Sequence, residues 1–157
     1  MAQTLAQKIL QAHTDEAVEQ DGQIVQCRVS MVLANDITGP LAIKSFHGMG
    51  AKKVFDRSKI ALVMDHFTPQ KDIDSANQVL ISRKFAEEQG IVHYYEGGDC
   101  GVEHTLLPEQ GLVGPGDLVI GADSCLLYTS LGFCQCESLP LSEKRRRSRT
   151  SRTPPGF

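Results

Sequence analysis

The sequence predicts an α/β fold in which helices alternate with the strands of a mostly parallel sheet. Short apolar runs alternate with longer amphipathic segments, which is the order found in strand–helix–strand units. Residues 60–64 are apolar at every position, as expected of a parallel strand that is buried on both faces. An aspartate closely follows two of the apolar runs, residues 60–64 and 118–120.

The first helix and the first strand follow from a change of period. In residues 4–13 leucine and isoleucine recur at helical spacing, and Thr4 can accept a hydrogen bond from the first turn. Residues 24–33 instead alternate apolar and polar side chains, which predicts a strand with one buried face.

The middle of the chain predicts two further strand–helix units. Residues 35–40 are rich in turn-forming types and predict a loop, and residues 41–47 predict the start of a helix that glycines end. The apolar residues 60–64 predict a strand. A long helix is then expected from Asp72 to Gly90, with one side formed by Ile73, Ala76, Val79, Leu80 and Phe85.

Two short strands complete the pattern. We predict one over residues 91–95 and the other over 118–120, separated by a glycine-rich loop at 97–101 and a turn or short helix around His104. Ligands of open α/β sheets bind at the carboxyl ends of the strands. The aspartates that follow the apolar strands therefore indicate where a site would lie.

Charge divides the chain into two parts. Residues 1–124 carry 10 Lys and Arg against 17 Asp and Glu, a net charge of −7, whereas residues 125–157 carry 6 against 2, a net charge of +4. We predict one folded domain over 1–124. Residues 125–157 are predicted to be a foreign sequence or a disordered basic tail, with a genuine lineage-specific tail as the alternative.

Composition excludes several classes of protein. No apolar run is long enough to cross a bilayer, and the first residues do not have the pattern of a secretory signal. The chain has 5 cysteines, an odd number whose spacing suits no disulfide framework. We therefore expect a cytoplasmic protein that does not contact a membrane.

Two groups of residues could carry chemistry. Asp65 and His66 could form a proton-transfer pair, although a capping aspartate and a histidine bonded to backbone are the more frequent roles of such a dipeptide. The second group is His104 with Asp123 and Ser124. A carboxylate bonded to one ring nitrogen fixes the tautomer of the other, but the spacing alone does not bring His104 to Asp123.

Other motifs are weaker. The glycine-rich loop at 97–101 lacks the lysine of a phosphate-binding loop, so a flexible connection is the favoured interpretation. Cys134 and Cys136 are too close for the usual paired-cysteine metal site. The basic run at 144–149 could bind nucleic acid, but it has no interleaved aromatic residues and is typical of a solvated tail.

The first 124 residues resemble the large subunits of the 3-isopropylmalate dehydratases, a branch of the aconitase superfamily. The matching text is extensive and occurs in the family's order and spacing. It comprises Thr4-Leu5-Ala6-Gln7-Lys8-Ile9-Leu10, Asn35-Asp36-Ile37-Thr38, Val63-Met64-Asp65-His66-Phe67-Thr68-Pro69, Leu107-Pro108-Glu109-Gln110-Gly111-Leu112-Val113 and Gly116-Asp117-Leu118-Val119-Ile120-Gly121-Ala122-Asp123-Ser124.

The resemblance implies the N-terminal part of an aconitase-type α/β/α domain in a hydro-lyase of leucine biosynthesis. It implies that Asp65 and His66 assist departure of the substrate hydroxyl, that His104 and Asp123 form a second active-site pair, and that Ser124 lies beside that pair. It also implies a [4Fe-4S] cluster, a small-subunit partner and a small 2- or 3-hydroxy dicarboxylic acid as substrate. Homoaconitase and a dimethylmalate-type dehydratase share these motifs and remain alternatives.

The departures from the family are equally informative. The family continues its Asp-Ser pair with His-Thr, whereas Cys125 follows Ser124 here. The three cluster cysteines lie far beyond this point in the family and have no counterpart in this chain. The resemblance therefore implies no cofactor-binding or metal-binding residue here, and we expect the isolated chain to be inactive. A nucleic-acid-binding module acting through the basic tail is the alternative from another class, which the charge of −7 over residues 1–124 disfavours.

Overall fold

The computed structural model describes residues 3–122. Asp123, Ser124 and the predicted tail at 125–157 therefore lie outside the described residues. In chain order the described elements are α1 (Leu5–His13), β1 (Met31–Asn35), α2 (Thr38–Gly48), β2 (Ile60–Val63), α3 (Ile73–Gln89), β3 (His93–Tyr95), a 3-10 turn (Gly97–Asp99), α4 (Glu103–Glu109) and β4 (Val119–Gly121).

The strands form a parallel sheet in the order β3-β2-β1-β4. The register pairs Asn35 with Val63 and Val63 with Tyr95, so β1, β2 and β3 end at the same level. The predicted α/β fold with a mostly parallel sheet is confirmed. The predicted edge is also present, because the residues that follow β1 and β2 are brought side by side.

Helix α1 begins as the sequence predicts. The Thr4 hydroxyl accepts a hydrogen bond from the Gln7 amide at 3.2 Å, and the Gln7 side chain accepts one from the Thr4 amide at 2.8 Å. This reciprocal pair satisfies two amides that an α-helix leaves without intrahelical partners. The helix predicted over 4–13 is confirmed.

The strand predicted over 24–33 is wrong for most of its length, because β1 begins only at Met31. Residues 25–29 do alternate between half-buried and exposed side chains. Their backbone does not join the sheet, however, since the Arg28 amide donates to the His13 carbonyl at 2.7 Å. The His13 ring lies within 2.9 Å of the carbonyls of Arg28 and Gly116 and holds this segment beside α1. The alternation of apolar and polar residues therefore reflects burial of one side of this segment. Such burial does not require that the segment pair with a neighbouring strand.

Helix α2 begins earlier than predicted. Its first residue is Thr38, so the loop expected over 35–40 is correct only for its first half. Pro40 is compatible with this start because amides in the first helical turn have no intrahelical acceptor to lose. The turn before the helix is held by Asn35, whose Oδ1 accepts hydrogen bonds from the amides of Ile37 and Thr38 at 3.0 and 2.9 Å.

The bounds of α3 are those predicted, but of the five residues predicted for one side only Val79 and Phe85 are buried. The Asp72 side chain accepts from the Ser75 amide at 2.8 Å, and Gly90 ends the helix in the left-handed conformation with φ 64°. Ile73 is 79% exposed, so it does not lie on the buried side. That side is formed by Ser75, Val79, Ser82, Phe85 and Ala86.

Small residues explain this difference. A Cβ atom at Gly39 of α2 would lie 3.2 Å from the Ser82 hydroxyl, so the two helices approach closely there. Helix α3 therefore turns its small polar residues inwards, and Leu80 and Ile81 remain partly exposed.

Two apolar clusters cover the faces of the sheet. Helices α2 and α3 pack on one face, around Ile43, Leu62, Met64, Val79 and Phe85. Helix α4 packs on the other face, where its leucines meet Met31, Leu33, Ala61 and Val63. The strands predicted over 91–95 and 118–120 are present, shortened or shifted by one or two residues. Among the described residues, no helix combines the length and apolar character needed to span a membrane.

Candidate functional site

A polar cluster occupies the carboxyl edge of the sheet where β1 and β2 end. The chain leaves β1 at Asn35 and passes directly to Asp36, and it leaves β2 through Met64 to reach Asp65 and His66. Because Asn35 and Val63 are register partners, these polar residues lie beside each other. The start of α4 adds Glu103 and His104 to the same place, as the contacts below show.

Asp65 and His66 contact each other through their side chains. His66 Nδ1 lies 2.6 Å from Asp65 Oδ1. Neighbouring side chains point to opposite faces within a strand, but both residues lie beyond the end of β2, where that restriction does not apply. Asp65 also holds the start of α4, since its Oδ2 accepts a hydrogen bond from the Glu103 amide at 2.8 Å. It therefore combines the two roles that the sequence left open, charge partner and helix cap.

Asp36 holds the turn that carries His66. Its side chain is fully buried, and its two oxygens accept hydrogen bonds from the amides of His66 at 3.3 Å and Phe67 at 2.7 Å. Its Oδ1 also lies 3.7 Å from His66 Nδ1. We did not identify Asp36 as a site residue from the sequence. The available signal was its position immediately after an apolar strand, the same signal that identified Asp65.

These carboxylates change the acidity of His66. Partial burial by itself lowers the pKa of His66, because it disfavours the charged ring. The hydrogen bond and negative charge of Asp65, with smaller contributions from the charges of Asp36 and Glu103, outweigh burial and raise the pKa above its usual value. The imidazolium form of His66 is therefore stabilised, as a proton donor requires.

Glu103 connects this pair to His104. It is buried, with 1% of its surface exposed, and its Oε1 accepts a hydrogen bond from Asn35 Nδ2 at 3.3 Å. The same oxygen lies 3.7 Å from His104 Nε2. The sequence did not identify Asn35 or Glu103 as site residues. An acidic residue in the first turn of a helix usually lies at the surface, so its type and position gave no indication of burial.

The structure thus brings three of the five predicted site residues into one network. Asp65 contacts His66 directly, and Glu103 joins Asp65 to His104 through its own amide and carboxylate. The remaining two, Asp123 and Ser124, lie outside the described residues, so the predicted pairing of Asp123 with His104 stays a prediction.

A cation could be shared by three of these groups, but an iron–sulfur cluster does not fit the described residues. One ligand atom from each of Asp36, Asp65 and His66 lies within 4.8 Å of the others, a proximity that acidic groups often show without any metal. Iron–sulfur clusters are bound mainly by cysteine thiolates. The two described cysteines, Cys27 and Cys100, are both free, and neither belongs to this group.

The environment of Cys100 also opposes a role as cluster ligand. Burial, with added repulsion from the charges of Asp65, Asp36 and Glu103, raises the pKa of the Cys100 thiol to about 11. The thiolate, which is the form that binds metals, is therefore disfavoured at neutral pH.

The glycine-rich loop forms the 3-10 turn after β3, and Gly97 adopts a left-handed φ of 62°. Beside it lies a cavity of about 510 Å³ lined by Tyr94, Tyr95, Cys100 and Leu106. A surface cluster that the sequence did not indicate stands nearby. Arg83 of α3 donates two hydrogen bonds to the Glu96 carboxylate, which also accepts one from the Tyr94 hydroxyl.

Comparison with known proteins identifies relatives of the chain. It is 96% identical over 124 residues to the 3-isopropylmalate dehydratase large subunit of Desulfovibrio desulfuricans, a match that covers 79% of this chain and 30% of the relative. It is 78% identical over 133 residues to the large subunit of Nitratidesulfovibrio vulgaris, which covers 84% of this chain and 32% of the relative. A large subunit of Desulfatibacillum aliphaticivorans is 58% identical over 133 residues, with the same coverage. The chain therefore spans about a third of the length of these relatives.

A protein-family model gives the broader assignment. The model of the aconitase family (aconitate hydratase) matches residues 7–130. The match begins within α1, includes every described strand and continues six residues beyond the charge break at residue 124. Fold, motif order and family match agree, and the chain belongs to the aconitase family.

Proposed function

We propose that this chain is the N-terminal part of the large subunit of a hydro-lyase that interconverts 2-isopropylmalate and 3-isopropylmalate in leucine biosynthesis. The observation that carries the proposal is the 96% identity to a 3-isopropylmalate dehydratase large subunit over 124 residues. The contact between Asp65 and His66 supports it, because it forms a carboxylate–imidazole pair at the edge of the sheet where ligands bind.

The described residues suggest how the chain contributes to this reaction. Hydroxide is a poor leaving group, so its departure requires a proton donor. With Nδ1 held by Asp65, the imidazolium of His66 can hold a transferable proton at Nε2, and its raised pKa increases the protonated fraction near neutral pH. Asp36 fixes the backbone of His66 through two amides of the turn and so sets the position of the ring.

The cofactor and the rest of the site belong to the proposal for the whole protein. We propose that the full-length large subunit carries a [4Fe-4S] cluster whose thiolates come from residues beyond this chain, since the described cysteines do not fit that role. His104, Asp123 and Ser124 would complete the active site. Residues 125–157 are proposed to be foreign to the domain or a disordered basic tail, because their net charge of +4 contrasts with −7 over residues 1–124.

A small subunit is the proposed protein partner, because the relatives are named as large subunits. The proposed substrate is a small hydroxy dicarboxylic acid, and the expected location is the cytoplasm. Homoaconitase and a dimethylmalate-type dehydratase remain alternative activities of the same family. Nucleic-acid binding through the basic run at 144–149, which lies outside the described residues, is the alternative from another class, and the charge of −7 over residues 1–124 disfavours it.

A chimeric enzyme tests the proposal. Residues 1–124 of this chain would replace the matching segment of the Desulfovibrio desulfuricans large subunit, and the product would be assembled with its small subunit. We expect interconversion of 2- and 3-isopropylmalate at a rate close to that of the unmodified relative. His66→Gln should lower kcat by about 100-fold or more, in the range expected for loss of a general acid.

The control is Glu109→Gln, a neutral substitution of an exposed residue at the end of α4. A chimera that folds and assembles but acts on a homoaconitase substrate instead would replace the proposed activity with the first alternative. Full activity of the His66→Gln chimera would contradict the proposed role of His66.

A further inference from the structure

Glu103 is the most deeply buried charged residue of the site after Asp36. Only 1% of its surface is exposed, although it lies in the first turn of α4, where acidic side chains usually face water. Burying a carboxylate is costly unless its surroundings supply partners for the charge. The described partners are all groups of the site rather than groups of the apolar core.

These partners come from three different elements. Asn35 at the end of β1 donates to Glu103 Oε1 at 3.3 Å, and the Glu103 amide donates to Asp65 Oδ2 beyond β2 at 2.8 Å. His104 of α4 places its Nε2 3.7 Å from the same Oε1 atom. One residue thus contacts both the carboxylate that holds His66 and the second histidine of the site.

The backbone and the side chain of Glu103 make different contacts in the site. The backbone amide of Glu103 positions Asp65, and any substitution other than proline retains that hydrogen bond. The Glu103 side chain has a different role, because its Oε1 accepts from Asn35 and lies 3.7 Å from His104 Nε2. The negative charge of Glu103 also contributes to the raised pKa of His66.

We propose that Glu103 is a positioning residue of the site: its carboxylate, anchored by Asn35, orients the His104 ring, and its amide orients Asp65. The expected effect on catalysis rests on the dehydratase function proposed above. The orientation of His104 and Asp65 by Glu103 can be tested in this chain without that function. Glu103 is not assigned contact with the substrate.

The variant Glu103→Gln tests whether the negative charge of Glu103 orients the His104 ring or whether the side chain only fills space in the buried site. The glutamine is isosteric and can still accept from Asn35, so the fold should tolerate it, but the negative charge beside His104 is lost. In the 157-residue chain we expect the ring nitrogen signals of His104 to shift in ¹⁵N nuclear magnetic resonance spectra. The signals of His13 and His47 should not shift, because His13 contacts backbone carbonyls and His47 contacts phenylalanine rings.

The kinetic test uses the chimeric large subunit with its small subunit. Glu103→Gln should lower kcat about 10-fold, the lower end of the range for loss of an orienting partner, with KM changed less than about two-fold. Glu109→Gln on the same helix is the matched control and should leave both constants unchanged. Glu103→Asp, which keeps the charge but withdraws it from Asn35 and His104, should also shift the His104 signals and serves if the glutamine variant does not fold.

The outcomes are distinct. Unchanged His104 signals in both variants would overturn the proposal whatever the enzyme does. An unchanged kcat with a lowered melting temperature would also overturn it, because Glu103 would then be purely structural. Shifted His104 signals together with an unmodified chimera that does not act on isopropylmalate would leave the positioning role intact and refute the proposed function.

Discussion

Of the substitutions that replace a carboxylate of the site by an amide, Asp36→Asn should destabilise the domain most. The Asp36 carboxylate is fully buried and accepts hydrogen bonds from two backbone amides, those of His66 and Phe67. Asparagine offers one acceptor oxygen, and its amide nitrogen would face the second N–H donor. We expect the oxygen to keep the shorter bond to Phe67 at 2.7 Å and the amide of His66 to lose its acceptor.

The magnitude follows from that loss. A hydrogen bond to a charged group contributes about 1.5–3 kcal/mol, and a buried amide left without an acceptor costs about 1–3 kcal/mol. Both figures refer to the loss of the same hydrogen bond, that between the His66 amide and residue 36, so they are not added. Removing one of several neighbouring negative charges offsets part of the cost, so we expect the free energy of unfolding to fall by about 2 kcal/mol. For a domain of this size that corresponds to a melting temperature lower by about 5–10 °C.

The assay is urea unfolding of the 157-residue chain followed by circular dichroism. Asp99→Asn is the control, because Asp99 is exposed in the 3-10 turn and the same exchange there should change the free energy by less than about 0.5 kcal/mol. If Asp36→Asn proved as stable as the control, the Asp36 carboxylate could not be accepting both amides. The proposed role of Asp36 in setting the position of the His66 ring would then be wrong.

Three further predictions follow from the structure. Because the pKa of His66 is raised in the folded protein, protonation of His66 stabilises the fold at pH values below about 6.5, the pKa of histidine in an unfolded chain. This stabilisation is lost as the pH rises through the higher pKa of the folded state. The difference in melting temperature between the wild-type chain and His66→Gln should therefore shrink between about pH 5.5 and pH 8; a constant difference would contradict the raised pKa. Gly90→Ala should lower the free energy of unfolding in urea by about 1–2 kcal/mol, because Gly90 has φ 64°, which strains an alanine backbone. Apart from the chain neighbours of Gly90, the nearest atom to the added Cβ is Arg57 Nη1 at 3.5 Å, an ordinary contact. An equally stable variant would show that the left-handed C-cap is not formed. Anaerobic reconstitution with iron and sulfide should give the isolated chain no iron–sulfur absorbance and no dehydratase activity, and stoichiometric cluster uptake would show that cysteines we have not assigned act as ligands.

The elements that the sequence predicted best are those with local signals at their ends. Helix α3 has Asp72 before it and Gly90 after it, and both act through backbone geometry that depends on neighbouring residues alone. Its buried face depends instead on how closely α2 approaches at Gly39 and Ser82, a contact between distant parts of the chain. The false strand at 24–30 has the same origin. Alternating burial is a property of one segment, whereas a strand also needs a partner at the correct distance.

The site shows the same division. Asp65 and His66 were candidates because an acidic residue and a histidine directly follow an apolar run, but only the family resemblance gave them a catalytic role. Asp36 occupies an equivalent position after β1, but without an adjacent histidine it resembled an ordinary turn residue. Glu103 was missed because its burial arises only when β1 and β2 lie side by side and α4 begins above them. Residue types together with the family resemblance therefore indicated Asp65, His66 and His104, whereas Asn35, Asp36 and Glu103 were recognised only from the sheet topology.

The charge of the network supports the expectation that the isolated chain is inactive. Asp36, Asp65 and Glu103 place three carboxylates at one edge of the sheet, and the described partners of Asp36 and Asp65 are backbone amides and the His66 side chain. Even with His66 protonated, the cluster attracts protons and cations more strongly than anions. The proposed substrate is a dicarboxylate, so its binding needs positive groups that offset this field. The chain spans about 30% of its Desulfovibrio relative, and the remaining length offers the place for such groups. In the enzyme proposed above, the described residues would supply and orient the proton donor. The rest of the large subunit and its small subunit would then have to supply the positive charge that lets the substrate approach.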